Sequence, residues 1–418
     1  MSILLQRFPY RIMRVSSLRS ISMMGMGRIF SEGSGIGGET SMIAANDRRN
    51  VVIRRRLTSS KETMADEYGE MTSDGESYTH PTPFQLESGD VLPEAILKYQ
   101  TYGNLNDERD NVIVICHALT GNASLHTWWG GLLGPSLPFD TNKYYIICAN
   151  ILGSCYGSTS PVSINRQTNK IYGNDFPDVT VRDTVGLQLH LLRSLNIKSV
   201  KSVIGGSFGG MQAVEYAAMA GIGDDPYVRS VIPIACGSRH TAWQIGISEV
   251  QRQAIYADPK WNNGNVDFND LPLAGLSVAR MLGMVSYRTS LGYDKKFGRR
   301  VNENGAWEVR NYLEYQGNKF LKRFDPVTYV KLTEQMDTHD IGRNREGEKA
   351  ALENCKIPAL VLGIDSDVLY PLREQEELVD LFKKGQMEII HSDAGHDGFL
   401  LEQDQVGNRI TQFLEQNP

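Results

Sequence analysis

The stretch VKSVIGGSFGGMQAVEYAAMA (200–220) holds three features in a telling order. VKSVIG (200–205) is short, apolar and β-branched, as a buried strand requires. GGMQAVEYAAMA (209–220) carries apolar residues at helical spacing. Between them, Gly205-Gly206-Ser207-Phe208-Gly209 is a G-x-S-x-G pattern, which places a serine on a sharp turn from strand to helix. Only small neighbours fit such a turn, and the helix behind it favours negative charge at the serine. With 40 glycines in 418 residues, short glycine patterns also arise by accident, and such a turn can instead cradle a phosphate. The strand before and the helix after favour a nucleophile.

Similar apolar runs recur along the chain: NVIVIC (111–116), YYIICA (144–149), SVIPIA (230–235), ALVLGI (359–364) and MEII (387–390). Further upstream, FQLESGDVLPEAILKYQTYG (84–103) reads as two short strands about a Gly-Asp turn, so folded chain is expected from near Thr82. Helical patterns lie between the runs, in VRDTVGLQLHLLRSL (181–195) and PLREQEELVDLFKK (371–384). Buried strands alternating with helices predict an α/β fold: a mostly parallel central sheet with helices on both faces. From 238 to about 345 the strand signal stops, and SEVQRQAIYAD and LAGLSVARMLGMV read as helices. That segment is expected as a helical lid, dividing the core into 80–237 and 346–418.

A serine nucleophile needs a base and an acid, which in this layout follow it in the order acid, then histidine. GIDSDVLYP (363–371) offers Asp365 and Asp367 after one strand, and HSDAGHDGFL (391–400) offers His391 and His396 after the next. His396 follows Gly395 in a loop and is the histidine able to reach back; His391, at the strand end, reads as structural. Asp367 lies further out on its loop than Asp365, though spacing alone does not separate them. Attack on a carbonyl also requires two amide donors for the oxyanion. They are expected from Phe208 and from Leu119 in HALTG (117–121), a loop kept tight by Gly121. The whole arrangement predicts an α/β-hydrolase fold.

Bulk composition narrows the remaining classes. Hydrophobic residues make up 41% and charged residues 22%, with net charge -6, enough for a sizeable core. No basic stripe lies beyond the N-terminal arm, so no nucleic-acid partner is expected. Five cysteines, none at C-x-x-C spacing, predict neither a disulfide framework nor a zinc site. No apolar run has membrane-spanning length, so no membrane partner is expected. Residues 1–31 contain no acid but include Arg7, Arg11, Arg14, Arg19 and Arg28 among serines and apolar residues. This is the composition of a transit peptide, with the mitochondrial matrix the expected address and plastid or cytoplasm the alternatives. Residues 1–79 are thus expected to be leader and flexible spacer.

Several stretches together resemble a known family. They are FQLESG, YQTYGNLN, HALTGNA, FDTNKYYIICANILGSCYGSTSP, FPDVTVRD, VIGGSFGGMQ, ARMLGMVSYR, KFGRR, SDVLYP and GHDGFL. In this order they are similar to the homoserine O-acetyltransferases and their serine- and succinyl-transferring relatives, from about Phe84 to the C-terminus. The resemblance implies Ser207 as nucleophile, His396 as base and Asp367 as the group orienting it. It implies that Arg280 receives a substrate carboxylate, Asp397 its ammonium, and that Tyr287 and Thr120 line the pocket. Read without the resemblance, Arg280 is a solvated or ion-paired helix residue. The implied substrates are a small amino-acid acceptor, homoserine first, and an acyl-CoA, acetyl-CoA first, with no bound cofactor and no metal. A homodimer is an assembly the resemblance allows. Departures touch the choice of substrates. Phe208 stands where the family usually has Met, and WNNGNVDFNDLP (261–272) lacks a common tyrosine pair. HTAWQIGISEVQRQAIYADPKW (240–261) is closer to relatives that acylate serine or use succinyl-CoA. Serine O-acetyl or O-succinyl transfer are therefore the alternatives, with ester hydrolysis a more distant one.

Overall fold

The computed structural model describes residues 74–417. The leader and nearly all of the spacer expected over 1–79 lie outside the described residues.

The centre of the molecule is an eight-stranded sheet. Its strands are β1 (Glu76–Thr79), β2 (Ile96–Tyr102), β3 (Val112–Cys116), β4 (Tyr145–Ala149), β5 (Val200–Gly206), β6 (Val231–Ile234), β7 (Pro358–Ile364) and β8 (Lys384–Ile390). They lie in the order β1-β2-β4-β3-β5-β6-β7-β8. β1 pairs with β2 and β2 with β4 antiparallel; every other pairing is parallel. All five residues of β3 are buried, because helices cover both faces of a parallel strand.

Two departures from the sequence reading sit at the sheet edges. Strand β1 lies ahead of Thr82 and inside the expected spacer, with Glu76 opposite Tyr99 and Thr79 opposite Ile96. Glu-Ser-Tyr-Thr has no apolar run, since an edge strand facing solvent needs none. At the other edge, MEII is the end of a seven-residue strand whose polar start is recruited by β7, with Lys384 opposite Pro358.

Between β6 and β7 come the helices α3 (Ala242–Tyr256), α4 (Leu273–Tyr287), α5 (Glu308–Phe320) and α6 (Pro326–Asp337). In the core, α1 (Val181–Ser194) and α2 (Phe208–Ala220) precede them, and α7 (Leu372–Val379) and α8 (Gln403–Gln416) follow. A capping box starts α1: Thr180 and Asp183 each satisfy the other's amide. One hydrophobic cluster joins sheet, core helices and the lid residues Leu276, Ala279 and Phe320. All five cysteines are unpaired, four buried and Cys155 half-buried.

Chain direction sets the place of the site. After β3 the chain moves to β4 on one side; after β5 it moves to β6 on the other. The carboxyl ends of β3 and β5 therefore flank a switch point, where open α/β sheets form their crevice.

Candidate active site

Ser207 joins β5 to α2 at φ 57 and ψ -123. A non-glycine residue held there costs of order 1–3 kcal/mol and persists only where its surroundings enforce it. They do so here: the Ser207 amide donates to the Ile234 carbonyl at 2.9 Å, and the Ser207 carbonyl accepts from the Met211 amide at 3.1 Å. The glycines are steric necessities. A Cβ on Gly209 would collide with the Cys116 carbonyl, and one on Gly206 with the Phe399 ring.

His396 Nδ1 lies 2.7 Å from Asp367 Oδ2, with the two side chains 4% and 0% exposed. The other oxygen of Asp367 accepts the amides of Leu369 (2.8 Å) and Tyr370 (2.9 Å). Both oxygens are thus tied, and the carboxylate holds one orientation. Burial alone would push the His396 pKa down; the charges of Asp367 and Asp397 outweigh it, leaving the pKa above the ordinary 6.5. The Tyr370 ring stacks on His396 at 5.1 Å, and its hydroxyl lies 3.0 Å from His240 Nε2. Asp365 is the partner of His391 instead, at 2.8 Å.

Phe399 connects the imidazole to the serine turn. Its ring fills the space beside Gly206 and lies 5.6 Å from the His396 ring. Among the described residues no hydrogen bond joins the Ser207 hydroxyl to His396. In unliganded active sites such bonds are often long and tighten with substrate present.

Opposite the turn lies the loop after β3. Phe208 is the first residue of α2, so its amide has no acceptor within the helix. The Leu119 amide carries no hydrogen bond among the described residues. Buried His117 pins this loop: its Nδ1 donates to the Ala118 carbonyl at 2.8 Å, and its Nε2 accepts from the Ile151 amide at 3.1 Å. Burial pushes its pKa down to about 4, so it stays neutral in this role. Gln212 of α2 donates to the carbonyls of Phe208 (3.2 Å) and His117 (3.4 Å), clamping loop and helix together.

The helical segment between β6 and β7 supplies Arg280, Tyr287, Arg288 and Arg323. Arg280 is 2% exposed, so it is not a solvated helix residue, and its guanidinium lies over Phe320 at 5.1 Å. Arg323 covers the same ring at 4.8 Å and donates to the Thr120 carbonyl at 2.9 Å and to the Tyr156 hydroxyl at 3.0 Å. Thr120 is buried. Tyr287 ends α4 with its ring 6.1 Å from His396. Asp397, beside His396, is buried and ion-paired with Arg288 Nε at 2.7 Å. Sequence reasoning missed four contributors: His117, Arg288, Arg323 and Tyr370. His117, Arg288 and Tyr370 lie inside the quoted HALTGNA, ARMLGMVSYR and SDVLYP stretches, which was the available signal.

Residues 111–403 match the alpha/beta hydrolase fold family. The homoserine O-acetyltransferase of Chloroherpeton thalassium is 46% identical over 337 residues, covering 81% of this chain and 88% of that one. The crystal structure of homoserine O-acetyltransferase from Bacillus anthracis superposes with TM-score 0.73 at 25% identity, covering 81% of this chain and 96% of that one. Esterase E22 superposes equally well, TM-score 0.73, at 24% identity, with 81% and 99% covered, a likeness of fold alone. On the 46% identity over most of both chains and the family match over 111–403, the chain belongs to the homoserine O-acetyltransferase family of the α/β-hydrolase fold.

Proposed function

We propose that this chain moves an acetyl group from acetyl-CoA to the hydroxyl of L-homoserine through an acyl-enzyme on Ser207. The observation that carries this reading is the buried Asp367–His396 pair, which shares the Phe399 wall with a strained serine turn. His396 takes the Ser207 proton as Oγ attacks the thioester carbonyl, and the oxyanion faces the Leu119 and Phe208 amides. The C–S bond breaks, and His396 returns the proton to the CoA thiolate. The homoserine hydroxyl then attacks the acyl-serine, His396 again takes the proton, and O-acetylhomoserine leaves with Ser207 restored. Arg280 receives the acceptor's carboxylate and Asp397 its ammonium, with Tyr287 and Thr120 lining the pocket, so that the hydroxyl is aimed at the ester. The lid helices keep water from the waiting acyl-enzyme. The product is an activated homoserine for methionine and cysteine synthesis, and the arginine-rich leader supports delivery to the mitochondrial matrix.

The test pairs homoserine and serine with acetyl-CoA and succinyl-CoA and reads thiol release. The acetyl-CoA and homoserine pair is expected to give the highest kcat/KM, and acetyl-CoA alone an acetyl adduct on Ser207 by mass spectrometry. One methylene of acceptor is worth about 1–3 kcal/mol, so a preference for serine remains a real outcome and would replace homoserine. Thiol release undiminished without acceptor would make the chain a hydrolase.

A further inference from the structure

Helix α4 ends at Tyr287, and the next residue, Arg288, is extended at φ -111 and ψ 166. Its Nε lies 2.7 Å from Asp397 Oδ2, with the side chains 20% and 3% exposed. The lid and the histidine loop close on each other around this pair. Gly395 has φ +67, and a Cβ there would sit 2.8 Å from the Tyr287 carbonyl oxygen. Thr289 Oγ1 donates to the Asp393 carbonyl at 2.5 Å, and Lys295 pairs with the Asp393 carboxylate. One short segment, 287–295, thus seats the lid on the loop that carries His396.

The groups facing His396 come from three sides. The loop after β7 brings Asp367 and the Tyr370 ring; the lid brings the Tyr287 ring at 6.1 Å; its own loop brings Asp397 and the Phe399 ring. Burial pushes the Tyr370 phenol far up, so that ring carries no charge near neutrality. Behind Tyr370 lie His240, Asp337 and Arg252, linked in a row. Behind Asp397 lies Arg288.

We propose that Arg288 is a positioning residue: it holds the Asp397 carboxylate at the seat of the lid and offsets the negative charge that this carboxylate places beside His396. The inference rests on the proposed reading of His396 as base. The chain from the middle of helix α4 to the residue just past its end then has two functions. Arg280 and Tyr287 face the pocket, while Arg288 couples the seating of the lid to the readiness of the base. A lid lifted from its seat separates the guanidinium from Asp397, strengthens the hold on the His396 proton and slows attack until the lid is down.

In a ping-pong cycle kcat/KM for acetyl-CoA reports acylation alone, before any ammonium is present, so its pH profile reads His396 without the acceptor. Arg288→Gln is expected to move the acid limb up by about 1 unit, lowering the rate near neutrality while the alkaline plateau holds. Arg288→Lys, which keeps the charge, is expected to return the limb to its wild-type place. An unmoved limb in Arg288→Gln at wild-type thermal midpoint overturns the inference, as does an equal shift in Arg288→Lys. Should Arg288→Gln fold poorly, Arg288→Met takes its place throughout; Asp397→Asn supplies the second arm. It is expected to lower the limb, and adding Arg288→Gln to it should move the limb no further; an equal Arg288→Gln shift with and without Asp397 sinks the idea. His396→Ala separates the two readings: if it retains thiol release, the base assignment itself falls; if it abolishes release and the limb does not move, only the role of Arg288 falls.

Discussion

Two aspartate–histidine pairs stand side by side in this molecule, built from the same two loops. Asp367–His396 and Asp365–His391 have nearly the same length, 2.7 and 2.8 Å, and both use Nδ1. Their surroundings differ. In the first the side chains are 0% and 4% exposed, in the second 37% and 76%. Water screens the outer pair and can replace either partner, so its net worth is small. In the inner pair the charges act through a medium of low dielectric, and the aspartate has no competing solvent. Hydrogen-bond length therefore does not make a catalytic pair. Burial separates the two: His396 packs on the Phe399 ring that fills the space beside Gly206 of the serine turn, while the His391 side chain is largely in solvent.

The comparison breaks most sharply under removal of each histidine. His396→Ala is expected to cut acetyl-CoA-dependent thiol release by about 10⁴–10⁶-fold, the scale for loss of a base acting in concert with its nucleophile. His391→Ala is expected to leave turnover at the wild-type level; a large loss there would show that the outer pair belongs to the machinery.

Next come the acids. Asp367→Asn leaves the shape but favours the wrong tautomer of His396, and kcat is expected to fall by about 10⁴-fold. Asp365→Asn should change kcat little, and equal effects of the two in steady-state kinetics would remove the distinction drawn above.

The pH profile sharpens the contrast further. On the proposed reading His396 works in its neutral form, and Asp367 and Asp397 hold its pKa up despite its burial. Acylation should therefore rise with pH through a limb placed higher than that of an ordinary imidazole. Asp365→Asn should leave that limb in place. A limb below 6.5 would mean that burial outweighs the two carboxylates.

The smallest effect concerns stability. Asp365→Ala removes a solvated pair, and chemical denaturation is expected to register less than about 1 kcal/mol, fading at high salt. A larger loss would show that the outer pair braces the loop carrying its inner neighbour.

Much of the fold was readable in advance, for physical reasons visible at particular residues. NVIVIC and ALVLGI read as strands because a doubly covered strand is apolar throughout, and β3 and β7 are buried accordingly. The serine turn was readable because a glycine-flanked serine between an apolar strand and a helix is a short-range pattern; the contacts with Cys116 and Phe399 that require those glycines are long-range. The edge strand β1 was not, since nothing in Glu-Ser-Tyr-Thr signals pairing with β2. Asp365 and Asp367 could not be separated by spacing, because both lie on one loop at similar reach. Arg280 read without the family resemblance is a solvated or ion-paired helix residue; burial against Phe320 removes the solvated half of that reading.

Order along the chain was enough to place a strand, a strained serine, then an acid and a histidine after later strands. Periodicity, turn stereochemistry and connection order act over a few residues, so they survive in a linear string. Which aspartate meets which histidine, that Tyr370 is braced by His240 130 positions earlier, and that Arg288 of the lid holds Asp397 all follow from long-range packing. Burial and electrostatic field are properties of a neighbourhood, and the neighbourhood exists only once distant segments have met.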